Sequence, residues 1–152
     1  MIKKLLKFPL AITLFFVFTM SVIANLNFLV YVHFPFQVLV SILIILVGVI
    51  SVVVGGSLFR KAKTTVNPID PHKTTQLVTN GIYSLSRNPM YIGFLLWLVG
   101  YALFLGNIFN FILLPIFVVI VNKLYILPEE VALEKLFGLE FVEYKHRVNR
   151  WL

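Results

Sequence analysis

The residues best suited to chemistry form two short clusters, each at the edge of a long apolar run. In the stretch SLSRNPMYIG, residues 84–93, Arg87 and Asn88 precede a proline and a tyrosine. In LPEE, residues 127–130, two glutamates follow a proline. A guanidinium and carboxylates at one boundary would form a polar pocket for a ligand that carries groups of both charges.

Both clusters also have a purely structural interpretation. Pro128 followed by Glu129 and Glu130 is typical of a helix N-terminus, because the fixed proline dihedral angle and the helix dipole favour these residues there. Pro89 could likewise begin a helix while Arg87 extends toward lipid phosphates. The residues alone leave the ligand site and the structural role open.

The chain as a whole has the composition of an integral membrane protein. Of its 152 residues, 60% are hydrophobic and only 12% are charged, against about 25% charged in soluble domains. Its length fits a single domain. The chain has no cysteine, and its three histidines lack metal-ligand spacing. We therefore expect no disulfide, no thiolate nucleophile and no metal site.

Four apolar stretches predict membrane-spanning helices, at residues 8–31, 36–59, 90–106 and 108–127. A bilayer core about 30 Å thick requires about 20 helical residues, and all four stretches are near this length. The first stretch follows three lysines, as a signal peptide would. Its apolar run is longer than that of a typical signal peptide, so we expect a retained helix.

The distribution of basic residues predicts how these helices are oriented. The connections 33–37 and 106–110 carry no lysine or arginine, and with four crossings all thirteen basic side chains fall on the opposite side. Basic residues favour the cytoplasmic side, so we expect a multi-pass protein of the cytoplasmic membrane with both termini and the site facing the cytoplasm. No nucleic-acid partner is expected, although the net charge is +7.

Two cytoplasmic segments complete the predicted fold. Residues 60–89 form a loop, and residues 129–150 have the spacing of an amphipathic helix that lies on the membrane surface with its aromatic side among the headgroups. Gly138 is expected to bend or interrupt this helix. The predicted fold class is an all-α integral membrane protein, one domain over 1–152, with four transmembrane helices and a C-terminal amphipathic interfacial helix.

The short connection between the third and fourth spans predicts an antiparallel hairpin. Such a hairpin would bring Arg87 and Glu129 to the same end of the molecule. The spans themselves contain no acidic residue, which disfavours a proton-coupled transporter. Gly93, on the third span, would allow close approach of another helix or of a ligand.

The order of the motifs resembles the isoprenylcysteine carboxyl methyltransferase family, which is grouped broadly with phospholipid methyltransferases. The matching segments are LVTNGIYSLSRNPMYIG, a hydrophobic hairpin, the pair EE, and LEKLFGLEFVEYKHRV. They correspond to the family pattern of G-x-Y, R-H-P-x-Y-x-G, a glutamate pair and F-G-x-x-Y-x-x-Y. The resemblance covers roughly residues 73–150, about half of the chain.

This resemblance implies an S-adenosylmethionine-dependent methyltransferase embedded in the membrane. The cofactor contacts that it implies are Thr75, Gln76, Leu77, Val78, Tyr83, Asn88, Pro89, Met90, Tyr91 and Glu129. The chemistry of the ligand adds Arg87 for the carboxylate and Glu130, beside Glu129, for the ammonium or ribose. Gly93 would keep the helix backbone clear of the cofactor. The candidates for a catalytic role are Arg87, Tyr91 and Glu130.

The sequence departs from the family pattern at two positions. Asn88 replaces the histidine of R-H-P, which retains hydrogen bonding but removes a titratable group. Tyr125 stands where the prenylcysteine enzymes have an arginine that holds the substrate carboxylate. Tyr125 and Arg147 are therefore the substrate-side candidates, and Arg147 or Arg150 could supply the missing cation, although basic residues on an interfacial helix more often contact phospholipid.

Taken together, these features predict a membrane enzyme that transfers a methyl group from S-adenosylmethionine to a lipophilic acceptor. The acceptor would be a carboxylate or thiol on a lipid-like molecule. Two alternatives stay open, namely methylation of a phospholipid amine and a non-catalytic membrane subunit or transporter that retains a degenerate motif. The expected partners are the bilayer and a lipid or lipophilic small molecule.

Overall fold

The chain is helical throughout most of the residues described by the computed structural model, which are 9–26, 30–64 and 75–152. The elements are α1 (Pro9–Ala24), α2 (Gln37–Lys61), a 3-10 turn (Gly81–Ser84), α3 (Pro89–Leu105), a 3-10 turn (Ile108–Ile112), α4 (Leu113–Val121), a π turn (Asn122–Ile126), α5 (Leu127–Phe137) and α6 (Leu139–Arg147). The only β-type pairing in these ranges is a bridge between Tyr31 and Asn107. The all-α prediction is confirmed for the described residues.

Within the described ranges, two helical stretches are long and apolar enough to cross a bilayer, namely α2 and the continuous stretch Ile108–Phe137. The apolar helices α1 and α3 are shorter, with 16 and 17 residues. The four-span arrangement therefore stays a prediction. The exposed face of α2 carries large apolar side chains such as Leu39, Leu43 and Ile50, a surface that is typical of a membrane protein.

The first helix ends earlier than the sequence suggested. It was expected to continue to residue 31, but α1 ends at Ala24, and residues 27–29 lie outside the described ranges. The main-chain N–H groups of Asn25 and Leu26 donate to carbonyls three residues earlier, which tightens the final turn. The Asn25 side chain also donates to the Ser21 carbonyl at 2.7 Å, so polar groups at this point satisfy the helix end.

Helices α2 and α3 pack closely because small residues face each other. A Cβ atom added to Gly93 would lie 2.5 Å from the carbonyl oxygen of Gly48, and one added to Gly100 would lie 2.8 Å from that of Ser41. The prediction that Gly93 keeps the backbone clear of a cofactor is therefore wrong. This glycine is occupied by the contact with α2, as is usual for small residues between apolar helices.

Helix α3 lies at the centre of the apolar core. On its other side, Ile12, Phe16 and Met20 of α1 are buried together with Leu98 of α3 and Phe117 of α4. The rings of Phe16 and Phe117 meet edge to face at 5.3 Å. This core fixes the position of α3 and therefore of the polar residues at its N-terminus.

The predicted hairpin between the third and fourth apolar stretches is present. Gly106 ends α3 with a φ of 67°, a left-handed conformation that glycine adopts readily. The side chain of Gln37 donates to the Leu103 carbonyl at 2.6 Å and joins α2 to this turn. At the other end of the hairpin, the rings of Tyr91 and Tyr125 stack with centroids 6.1 Å apart.

The chain passes from α4 into α5 through a π turn, and Pro128 stands in the first turn of α5, as its helix-start signature indicated. Leu127 donates its N–H to the carbonyl of Asn122, five residues earlier, in the π turn. A proline inside a helix lacks an N–H and crowds the carbonyl four residues before it. The wider π turn directly before Pro128 shifts the hydrogen-bond pattern and lets the helix continue.

Gly138 separates α5 from α6, as predicted, with φ 54° and ψ −125°. The expectation that the aromatic side of this helix lies among lipid headgroups is wrong for Phe141, Tyr144 and Val148. They are buried within the protein and pack against Leu77, Leu133 and Phe137. The placement of α6 at the membrane surface stays a prediction.

Candidate functional site

The two polar clusters of the sequence meet at one end of the hairpin. Arg87 Nη1 lies 2.9 Å from Glu130 Oε1. The phenol of Tyr91 donates a long hydrogen bond of 3.4 Å to Glu129 Oε2. The hairpin therefore places a guanidinium, two carboxylates and two stacked tyrosines in one cluster.

Glu130 is held by two arginines at once. Arg150 donates from Nε to Oε1 at 3.0 Å and from Nη2 to Oε2 at 2.7 Å. Glu130 and Arg87 each expose 10% of their side chains. The hydrogen bonds to Glu130 raise the pKa of Arg150. Removing one partner of a buried ion pair typically costs about 3–5 kcal/mol, so this trio is a strong constraint on the site.

Arg87 has donors that the protein does not use. Its Nη1 forms an ion pair with Glu130, but its orientation does not satisfy a hydrogen bond, and its Nε has no hydrogen-bond partner among the described residues. A buried guanidinium with unused donors is costly unless another acceptor is available. The arrangement suits a bound anion such as a carboxylate.

The backbone around Arg87 is fixed by the C-terminal tail, which we define as residues 148–152. The N–H of Arg87 donates to the Asn149 carbonyl at 3.0 Å. The amide Nδ2 of Asn88 donates to the Arg150 carbonyl at 2.9 Å, and the hydroxyl of Ser86 donates to the same oxygen at 3.2 Å. The tail therefore joins the N-terminus of α3 to the rest of the site.

Comparison with known proteins identifies a family for the chain. Residues 36–140 match the family model described as phospholipid methyltransferase. The chain belongs to this family. A Haemophilus influenzae protein, described as uncharacterized, is 41% identical over 63 residues, which is 41% of this chain and all of that protein.

Curated relatives of this phospholipid methyltransferase family member are methyltransferases. The protein-S-isoprenylcysteine O-methyltransferase of Saccharomyces cerevisiae is 40% identical over 76 residues, 48% of this chain and 30% of that protein. The probable protein-S-isoprenylcysteine O-methyltransferase of Oryza sativa subsp. indica is 31% identical over 116 residues, 70% of this chain and 59% of that protein. The chain thus spans well under two thirds of these two relatives. No solved structure is significantly similar to it.

The remaining tyrosine of the family motif lies close to the cluster. The ring of Tyr83 meets Phe59 edge to face at 5.2 Å, and its phenol lies beside Gly55 of α2. Burial, followed by the negative charge of Glu129, raises the pKa of Tyr83. This phenol therefore stays neutral at physiological pH and can donate a hydrogen bond.

The segment ahead of that motif is divided between solvent and core. Thr75 and Gln76 are exposed, Leu77 is half-buried and Val78 is buried. The main-chain N–H of Thr75 donates to the hydroxyl of Thr64 at 2.9 Å, which places this end of the segment beside the C-terminus of α2.

The residues that open α3 pack against α2. The carbonyl of Pro89 accepts a hydrogen bond of 2.7 Å from the hydroxyl of Ser51. Met90 is half-buried, and its Cγ lies 2.7 Å from the position of a Cβ added to Gly55. These two candidate cofactor contacts are thus held by the packing of α2 against α3.

The two substrate-side candidates lie in different surroundings, and their roles stay a prediction. Tyr125 is buried and lies directly against Tyr91. Arg147 is exposed on α6, whereas Arg150 reaches Glu130. The sequence offered both arginines, but their spacing gave no reason to prefer Arg150, because its position depends on the fold of the tail.

Metal-binding groups and cavities are the other features that could mark a site. No group of three or more metal-binding side chains occurs within the described ranges. An apolar cavity of about 210 Å³, lined by Val32, Phe34, Leu103, Gly106, Ile108 and Phe111, lies at the opposite end of the hairpin. The polar chemistry of the described residues is therefore concentrated around Arg87, Tyr91 and the two glutamates.

Proposed function

We propose that the chain is a membrane-embedded methyltransferase that moves a methyl group from S-adenosylmethionine to a carboxylate or thiol of a lipophilic acceptor. The observation that carries this proposal is the meeting of Arg87, Tyr91 and the pair Glu129–Glu130 at one end of the hairpin. Membership of the phospholipid methyltransferase family supports the reaction class. The names of the isoprenylcysteine O-methyltransferases among its relatives support a lipophilic acceptor.

The charged groups of the cluster fit the amino-acid part of S-adenosylmethionine. Arg87 would bind the α-carboxylate through the donors that no described residue uses. Glu129 would accept from the α-ammonium, because both oxygens of Glu130 are already engaged by Arg150. In this proposal Glu130 holds the arginines and contacts the cofactor only indirectly.

The aromatic groups fit the rest of the cofactor. Tyr91 and Tyr83 offer ring faces and neutral phenols near Glu129, suited to a sulfonium or an adenine ring. Main-chain groups of residues 75–78 would bind the edge of the adenine. Asn88, by contrast, is engaged with the Arg150 carbonyl and would act by fixing the loop.

The protein's contribution to the reaction would be alignment and exclusion of water. The sulfonium of the bound donor is already a good leaving group, so the acceptor needs to be held in line with the methyl carbon. Holding two reactants in position can lower the activation barrier by about 7–11 kcal/mol in well-oriented model systems. The buried Tyr91–Tyr125 pair provides a dry wall for this purpose.

The proposal includes a topology. The four apolar helical stretches would cross the membrane, with both termini and the cluster in the cytoplasm. The water-soluble cofactor would then reach the cluster from the cytoplasm, while the acceptor would approach from the bilayer. The basic residues on the side of the cluster support this orientation.

One observation favours a second acceptor class, the amine of a phospholipid. The prenylcysteine enzymes have an arginine for the substrate carboxylate at the position of Tyr125, and here a buried aromatic ring occupies it. An amine must lose a proton before or during methylation, and Glu129 is the carboxylate best placed to accept it, beside Tyr91.

Binding of S-adenosylhomocysteine to the detergent-solubilised protein tests the cofactor assignment. By calorimetry, we expect the wild type to bind, and Glu129→Gln and Arg87→Ala to weaken binding about tenfold or more, since each removes a charge-assisted hydrogen bond. Glu134→Gln is the matched control, because Glu134 pairs with Lys145 at the surface. Full-strength binding by both site variants would overturn the assignment.

The acceptor class requires a separate measurement. Membranes incubated with donor that carries a labelled methyl group should yield a labelled lipid, absent in the Glu129→Gln protein. Base-labile methanol release would indicate a methyl ester, and a stable label in a phospholipid headgroup would indicate amine methylation. No labelled lipid from protein that binds the cofactor would exclude a lipid acceptor.

A further inference from the structure

The C-terminal tail contributes a charged group to the site that the motif does not contain. Arg150 holds both oxygens of Glu130, at 3.0 Å and 2.7 Å. Arg87 approaches the same carboxylate without completing a hydrogen bond. Two guanidiniums therefore share one carboxylate, and Arg150 has the better geometry.

We infer that Arg150 is a positioning residue, which occupies Glu130 so that Arg87 remains available to an anionic group of the ligand. This inference rests on the proposed function and assigns that anionic group as the cofactor carboxylate. In the absence of Arg150, Arg87 would be the one cationic partner of Glu130 left among the described residues. Arg87 would then rotate to make a two-point contact with it, because bidentate arginine–carboxylate pairs are favoured.

The placement of the tail supports this role for Arg150. The indole N–H of Trp151 donates to Asn122 Oδ1 at 3.2 Å, at the start of the π turn. The carbonyls of Asn149 and Arg150 accept from Arg87 and Asn88. The tail is thus tied to both halves of the hairpin, and the guanidinium of Arg150 is delivered to Glu130 from a fixed backbone.

The test compares two nucleosides that differ in the amino-acid part. S-adenosylhomocysteine carries the carboxylate, whereas methylthioadenosine lacks it. With Arg150→Gln we expect S-adenosylhomocysteine to bind about 10- to 100-fold more weakly, the effect of losing a hydrogen bond to a charged group, while methylthioadenosine binding is unchanged. Arg150→Lys should retain part of the preference for S-adenosylhomocysteine. Lys135→Gln, which removes an exposed positive charge on α5, is the control and should change the binding of neither nucleoside.

A double variant separates positioning from folding. In Arg150→Gln with Glu130→Gln, Arg87 loses the Glu130 carboxylate with which it pairs, so the preference for S-adenosylhomocysteine should return. A fold damaged by loss of Arg150 would not be repaired by the second substitution. Equal weakening of both nucleosides in Arg150→Gln, or no change in either, would overturn the inference.

The same measurement distinguishes failure of the inference from failure of the proposed function. Wild-type protein that binds neither nucleoside would overturn both. If the wild-type protein binds the two nucleosides equally, a nucleoside site is present, but Arg87 does not bind the cofactor carboxylate. The role inferred for Arg150 would then be overturned as well.

Discussion

The phenol of Tyr144 in α6 donates a 2.6 Å hydrogen bond to the main-chain carbonyl of Tyr83. Both residues are buried, and they lie 61 positions apart in the chain. This bond joins the C-terminal helix to the 3-10 turn that leads into the cluster around Arg87. It is therefore a specific link between the stability of the tail region and the geometry of the site.

Removal of this link should destabilise the protein measurably. We expect Tyr144→Phe to lower the free energy of unfolding by about 1–3 kcal/mol, because the Tyr83 carbonyl is left buried without its donor. Thermal unfolding in detergent, followed by circular dichroism, measures the change. Tyr31→Phe is the comparison: its phenol donates to the Ala24 carbonyl at an exposed position, where water can replace it, so this change should cost less. Equal midpoints for Tyr144→Phe and wild type would contradict the assignment.

The same tyrosine predicts a pH dependence at alkaline pH. Burial raises the pKa of Tyr144 from 10.0 to about 12. The folded state therefore favours the neutral phenol, and the stability that this contributes is complete below pH 10 and is lost as the pH rises through about 12. The unfolding free energy of wild type should fall more steeply over this window than that of Tyr144→Phe. Parallel curves for the two proteins would be inconsistent with this pKa.

Two helical glycines provide a matched test of the packing between α2 and α3. A Cβ on Gly93 would lie 2.5 Å from the Gly48 carbonyl oxygen, whereas one on Gly56 would meet no atom within 4 Å. We expect Gly93→Ala to destabilise the protein by about 1–3 kcal/mol through overpacking. Gly56→Ala should be neutral or stabilising by up to about 1 kcal/mol, from helix propensity. Chemical unfolding in mixed micelles measures the free energy of unfolding of both variants. Equal changes would contradict the close contact between Gly93 and the Gly48 carbonyl.

The sequence was sufficient to predict how the two polar clusters meet. Long apolar runs and a short connection define an antiparallel hairpin, and a hairpin places Arg87 and the glutamate pair at the same end whatever the details of packing. The other motif residues stand at or near the ends of these runs, and their roles in a ligand site stay a prediction. The break at Gly138 was also predictable, since a glycine within an amphipathic pattern tends to interrupt the helix.

Features that depend on tertiary contacts could not be predicted from the sequence in the same way. Apolar spacing on α6 indicated a buried face but not whether lipid or protein covers it, and Leu77, Leu133 and Phe137 pack against it. The choice of Arg150 over Arg147 depends on how the tail folds back, which no local pattern encodes. The signature of Pro128 indicated the start of α5 but not the π turn that joins α5 to α4.

The hydrogen bond from Asn88 predicts how the tail is held. Asn88→Ala removes the donor to the Arg150 carbonyl, so the tail should open more often and its amides should exchange faster. Hydrogen exchange by mass spectrometry should show this in peptides covering 148–152 and in the Arg87 amide, which donates to Asn149. Asn149→Ala is the control, because its side chain is exposed on the same tail. Exchange that is unchanged in Asn88→Ala would contradict the contact.

The proposed topology can be tested without altering native cysteines, because the chain has none. Ser84 and Leu139 are exposed near the cluster, and Ile108 is exposed at the opposite end of the hairpin. We expect a membrane-impermeant maleimide to label Ile108→Cys in intact cells. Ser84→Cys and Leu139→Cys should react only after the membrane is opened, because the basic residues keep that end in the cytoplasm. Labelling of all three positions in intact cells would exclude the four-span arrangement, and the reverse pattern would place the Arg87–Glu130 cluster outside the cell, away from a cytoplasmic cofactor.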